Sequence, residues 1–147
     1  TNIGLHKDEY QKGYLPSEIV KEMEHWQVFD STVGNRTLKG PDKPGSYSVL
    51  NIPEVNKQLI LTWGESVLEA YQIMDKFENV KPLCVVNCLN YGDPQKSLHN
   101  FRSDVNRMNN DCHMLNIPIV GGNVSLYNST EGRSIPDTPI IVMLGIN

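Results

Sequence analysis

The sequence has no apolar run near the roughly 20 residues a membrane-spanning helix needs, and no charged-then-apolar leader segment opens it. Its 3 cysteines are an odd count. Cys84 and Cys88 are separated by three residues and Cys112 stands alone, so neither a CxxC pair nor an even disulfide framework is present. Reduced thiols in the cytoplasm are the plain expectation. An excess of positive charge is missing as well. The formal net charge is -4 and the pI is near 5.5, which argues against a nucleic-acid binder held by phosphate neutralisation. Internal repeats, low-complexity tracts and heptad arrays are absent. The 4 histidines, His6, His25, His99 and His113, show no mutual spacing that builds a metal site. His99 and His113 fit a solvated helix face.

What is present is the composition of an ordinary globular domain. The chain has 147 residues, 39% of them hydrophobic and 20% charged, enough for one core with or without a short appendage. Residues 1–45 have few apolar runs and end in the loop-forming Gly40-Pro41-Asp42-Lys43-Pro44-Gly45. They are expected to form a linker carrying one short helix over about 17–27, capped by Ser17, with Ile19, Met23 and Trp26 on one face. An extended segment at 29–37 turns at Gly34-Asn35. From 46 to 147 the pattern is denser and predicts one domain. Tyr47–Ile52 and Gln58–Trp63 predict a hairpin. Glu65 to Phe77 has helical spacing. Leu83–Leu89 is an apolar strand without alternation, which predicts burial on both faces and makes Cys84 and Cys88 core residues.

Gly92-Asp93-Pro94 breaks that strand. A longer helix then opens at Ser97, with Leu98, Phe101, Val105, Met108, Cys112 and Leu115 as its apolar stripe. A short strand, Ile117–Val120, leads into Gly121-Gly122-Asn123, and Pro139–Asn147 is the final strand. The order implies an α/β or α+β fold, a small mixed or antiparallel sheet with helices on one face. A strand still apolar at the last residue suggests that more chain follows.

Two segments could carry chemistry. Asn87-Cys88-Leu89-Asn90-Tyr91-Gly92-Asp93-Pro94 closes the most buried candidate strand, and strand ends are the usual ligand edge of such sheets. Gly121-Gly122-Asn123-Val124-Ser125-Leu126-Tyr127-Asn128 is the other. Paired glycines let a backbone approach a phosphate. An Asn carboxamide oxygen is a hard neutral ligand suited to magnesium. The Ser125 hydroxyl can donate to a substrate oxygen. Gly-Gly-Asn is equally a turn signal, and on spacing alone the turn is the commoner meaning. Glu65 and Glu69, one helical turn apart, could share a face, although a solvated face explains them as well.

Taken together, these two segments and the intervening helix resemble phosphoribosylformylglycinamidine synthase, large synthetase subunit. The likeness continues through Ile135-Pro136-Asp137-Thr138-Pro139 and reaches back to Phe29–Thr37 with Gly40-Pro41. It implies a fold like the N-terminal domain of aminoimidazole ribonucleotide synthetase, here the first domain of the synthase's second half. It also implies an ATP-dependent ligase of purine biosynthesis that turns formylglycinamide ribonucleotide into formylglycinamidine ribonucleotide. ATP would phosphorylate an amide oxygen and ammonia would displace the phosphate. By the same resemblance Asn87 and Gly122 are nucleotide-binding, Asn123 is a magnesium ligand, and Ser125 contacts the substrate. ATP and Mg2+ are the implied cofactors. The implied partners are the remaining synthetase domains, a glutaminase subunit and a small bridging subunit, with a homodimer through the sheet face as a further option. The fragment alone is expected to be inactive, and the family's catalytic His has no counterpart here. Alternatives are a docking half without its own nucleotide site, since Ile73 stands where that site's Asn is expected, or another member of the same superfamily.

Overall fold

The computed structural model describes residues 36–147. The helix expected at 17–27 and most of the 29–37 segment lie outside them. The first strand, β1, is Thr37–Lys39, and it pairs antiparallel with β2, Tyr47–Ile52. The sheet therefore starts before the Gly/Pro loop. A 3-10 turn, Pro53–Val55, and Asn56 in the left-handed region (φ 52°) connect β2 to β3, Lys57–Gly64, closing the expected hairpin. Helix α1 is Val67–Met74. Ser66 caps it by accepting from Glu69 N at 3.2 Å, and the Glu69 carboxylate reaches back to Glu65 N at 2.8 Å. Glu69 is thus committed to the cap.

Strand β4, Lys81–Asn90, is followed by helix α2, Pro94–Leu115. Asp93 caps α2 and Pro94 occupies its first turn, so the helix begins before the expected Ser97. Of the predicted stripe, Met108 and Cys112 are buried and Leu98 is exposed. Strand β5, Ile119–Ser125, lies parallel to β4. A two-residue hairpin joins β6, Ser129–Thr130, to β7, Arg133–Ser134. Its turn residues Glu131 (φ 52°) and Gly132 (φ 73°) both have the positive φ such a turn requires. Strand β8, Thr138–Ile146, runs between β3 and β4.

The sheet order is β1-β2-β3-β8-β4-β5, antiparallel except for β4-β5. Both helices pack on one face. Val67, Ala70 and Met74 of α1 and Met108 and Cys112 of α2 form the core with Ile60, Val85, Leu89, Ile141 and Met143 of the sheet. Thr62 is fully buried on this face, where its hydroxyl donates to Ala70 O at 2.7 Å. Gly145 is needed there because a Cβ would come within 2.7 Å of Met74 Sδ and 2.8 Å of Val80 Cγ1.

The other face is open and apolar. Cross-strand registers bring Leu61 opposite Leu144 and Cys84 opposite that same leucine, with Trp63, Val142 and Val86 forming the next rung. All are half-buried. The expected burial of β4 on both faces is therefore corrected. Val85 and Leu89 are buried under the helices, whereas Cys84, Val86 and Cys88 face the open side. An unalternating apolar run arises because both faces are apolar, even though only one is covered.

Candidate functional site

Strand β5 passes straight through Gly121-Gly122-Asn123. Neither glycine has positive φ, so the turn meaning of this triplet is overturned. The reason for Gly122 lies across the sheet. It pairs with Asn87, and a Cβ at 122 would come within 2.0 Å of Asn87 Oδ1 and 2.7 Å of Asn87 O. The Asn87 amide leans over the Gly122 backbone, and its Nδ2 points to Met108 Sδ at 3.6 Å on α2. Asn87 and Gly122 are thus brought together on the helix-covered face.

Asn123 and Ser125 are on the other side. Asn123 pairs with Cys88 and Ser125 with Asn90, and alternation turns both toward the open face. Asn90 Nδ2 lies 3.3 Å from Cys88 Sγ and 3.4 Å from Cys88 O, so this side of β4 is locally tied together. Asn123 is exposed and Ser125 half-buried. The four residues therefore flank one sheet edge, in two pairs on opposite faces.

The strand ends are bound by a dense set of hydrogen bonds that sequence reasoning missed. Tyr91 N donates to Ser125 O at 2.9 Å, and Tyr127 N donates to Gly92 O at 2.8 Å. Gly92 admits no side chain, because a Cβ would meet Ser134 Cβ at 2.6 Å. Tyr127 stands 75% exposed with φ 60°, an uncommon conformation for a bulky residue. The Asn128 Nδ2 donates to Tyr91 O at 3.0 Å and Ser125 O at 3.1 Å. Ser125 Oγ lies 3.0 Å from Asn128 Oδ1.

Tyr91 anchors this cluster to α2. Its ring is fully buried and meets Phe101 edge to face. Its hydroxyl donates to Asp104 Oδ2 at 2.7 Å, and Arg107 pairs with Asp104 Oδ1 at 2.8 Å. Burial, and then the bond to Asp104, push the Tyr91 phenol well above its ordinary range. It is a structural donor at neutral pH. Burial and the neighbouring Asp111 raise the Cys112 thiol as well. A shallow recess between the C-terminal end of α2 and the start of β5, lined by Cys112, His113 and Asn116, includes none of the four candidates.

Among the described residues no group of three or more His, Cys, Asp and Glu could hold a metal. At the β5 edge Asn123 would offer a bound magnesium ion one neutral carboxamide oxygen. The ion's remaining ligands would have to be phosphate oxygens and water, as is common for this cation. No described helix is long and apolar enough to cross a membrane.

Comparison with known proteins agrees with this architecture. The family described as AIR synthase related protein, N-terminal domain, matches residues 78–146, which contain all four candidates. The chain is 31% identical to phosphoribosylformylglycinamidine synthase subunit PurL of Campylobacter curvus, over 97% of this chain and 22% of the relative. Two Thermotoga maritima PurL structures, each 26% identical, cover 84% of this chain and 23% of theirs. The one complexed with ATP superposes with a TM-score of 0.62, and the one complexed with FGAR with 0.63. The resemblance seen in the sequence is borne out, and the mixed sheet with two helices is the AIR-synthase-like fold it implied. The chain spans about a fifth to a quarter of the length of the curated relatives it matches.

Proposed function

From a chain that resembles the PurL subunit along almost its whole length, we propose a domain of the ligase that converts formylglycinamide ribonucleotide to formylglycinamidine ribonucleotide in purine biosynthesis. The observation that carries this reading is the likeness over 84% of the chain to PurL complexed with FGAR. The domain contributes one wall of a site completed by the rest of the protein. Gly122 leaves the β5 backbone bare for close approach of nucleotide phosphate, with Asn87 beside it. Asn123 offers its carboxamide oxygen to magnesium, which when bound would neutralise phosphate charge. Ser125 contacts the ribonucleotide. Catalysis at such a wall is positioning.

The partners are the remaining synthetase domains, a glutaminase subunit and a small bridging subunit, in keeping with the relative's name as a subunit. A homodimer through the open sheet face is a further arrangement, and the setting is the cytoplasm.

A docking half without its own nucleotide site is a second reading. It is favoured by the Asn87 amide, whose nitrogen is turned to Met108 Sδ on α2. Ammonia-dependent amidation by the full-length protein, with ATP and the ribonucleotide supplied, tests the first reading. Turnover is expected, with Asn123→Ala raising KM for Mg-ATP and Ser125→Ala raising KM for the ribonucleotide. A full-length protein without amidation would sink it. If amidation survives with an unchanged Mg-ATP KM in Asn123→Ala and Asn87→Ala, the docking reading is supported instead.

A further inference from the structure

Every polar group of Asn128 is engaged. Its backbone N donates to Tyr91 O at 3.2 Å, its carbonyl accepts from Ile135 N at 3.1 Å, and its side-chain amide is held on both ends. The two carbonyls Tyr91 O and Ser125 O can only accept, so the amide nitrogen must face them. That orientation leaves Oδ1 facing Ser125 Oγ. An amide oxygen cannot donate, so the hydroxyl proton of Ser125 must point at Asn128.

We propose that Asn128 is a positioning residue that captures the Ser125 hydroxyl proton, so that Ser125 turns its lone pairs to the ligand and selects a group that donates. The ligand group is then an amide N–H or a hydroxyl, not a phosphate or carbonyl oxygen. This rests on the reading that Ser125 touches the ribonucleotide. It reverses the sequence-based expectation that Ser125 donates to a substrate oxygen. The device is rigid because Tyr91, whose carbonyl holds the amide, is itself fixed to α2 through Asp104. Releasing the Asn128 amide would let the Ser125 hydroxyl rotate and accept or donate indifferently.

The test uses the full-length protein containing this chain and isothermal titration of five ligands. These are the ribonucleotide and four analogues that each lack one donor: either amide N–H replaced by oxygen, or either ribose hydroxyl replaced by hydrogen. One analogue is expected to bind about tenfold more weakly than the parent, the worth of one lost hydrogen bond. That gap should close in Ser125→Ala, and it should shrink in Asn128→Ala while KM for Mg-ATP stays unchanged. A merely structural role for Asn128 would instead weaken all five ligands alike. If Ser125→Ala weakens all five by one factor, Ser125 touches the ligand without reading a donor, and the proposal is overturned while the contact stands. If Ser125→Ala changes none of them, the contact itself is wrong and the proposal goes with it. Should Asn128→Ala not fold, the five-ligand comparison between wild type and Ser125→Ala still decides the polarity of Ser125.

Discussion

The two faces of the sheet have nearly the same chemistry and opposite fates. On the covered face Ile60, Val85, Leu89, Ile141 and Met143 are at most 2% exposed beneath α1 and α2. On the open face Leu61, Trp63, Val86, Val142 and Leu144 form an equally apolar ladder that no described element covers, and Ile140 is 37% exposed. The difference separates folding from assembly. Burial of the first face holds the domain together, and the second is the kind of contiguous apolar patch that marks an interface. The candidate residues sit where the two faces meet at β5, Asn87 and Gly122 with the first, Asn123 and Ser125 with the second.

Truncating the two faces should break or confirm this contrast most strongly. Met143→Ala is expected to destabilise the chain by about 2–5 kcal/mol, because it opens a cavity under the helices. Leu144→Ala, its neighbour on the open face, should cost under about 1 kcal/mol, since its side chain is already partly solvated. Urea denaturation of the two variants measures both. Equal losses would mean that the open face is covered within the chain. Next in size is Gly122→Ala, where the new Cβ collides with the Asn87 amide and carbonyl. A loss of about 1–3 kcal/mol is expected. It should shrink in an Asn87→Ala background, because the two sites are in contact and their effects do not add. A loss unchanged by Asn87→Ala would mean that the backbone carbonyl alone forbids the side chain.

Much of the covered face was legible. Spacing in Val67–Met74 and Phe101–Leu115 found both helices, and two strand-like runs joined by a short loop found the β2–β3 hairpin. What local pattern could not supply was long-range partners. Gly121-Gly122 has the composition of a turn, yet its glycine is required by Asn87 on a neighbouring strand, a contact that exists only once β4 and β5 pair. Leu98 continued the helical period but faces solvent, because at this turn the covered face of the helix runs through the buried Ser97. Asn87, Gly122, Asn123 and Ser125 were picked out together by the family resemblance, and the β4–β5 pairing sets them along one sheet edge. Their division between two faces was not, because it follows from register. Asn128 was visible only as part of the Ser125 string, and its role depends on a carbonyl of Tyr91 brought near by the parallel pairing.

The seam between the faces offers a smaller effect. Tyr91→Phe removes the hydroxyl bond to Asp104 while keeping the ring against Phe101, and should cost about 1.5 kcal/mol. It also carries a pH signature. The folded phenol titrates above its unfolded value of about 10, so its contribution is fully present below that pH and is lost as pH rises through the folded value. Wild-type stability should therefore fall above about pH 10 more steeply than that of Tyr91→Phe. Parallel slopes would place the alkaline loss in another group.

The cap of α1 gives the smallest effect and asks what keeps the covered face covered. Ser66→Ala leaves Glu69 N without its acceptor, which at an exposed helix start typically costs about 1 kcal/mol. The helix spans 8 residues, too short to be stable in water by itself. Its position must then come from Val67, Ala70 and Met74, each at most 1% exposed against β3 and β8. If burial is what holds it, Ser66→Ala shifts the urea midpoint slightly and leaves the slope of the transition unchanged, because the same surface is exposed on unfolding. A reduced slope would instead mean that α1 detaches in the variant before global unfolding, which would make the cap, and not the core contact, the element that closes this face.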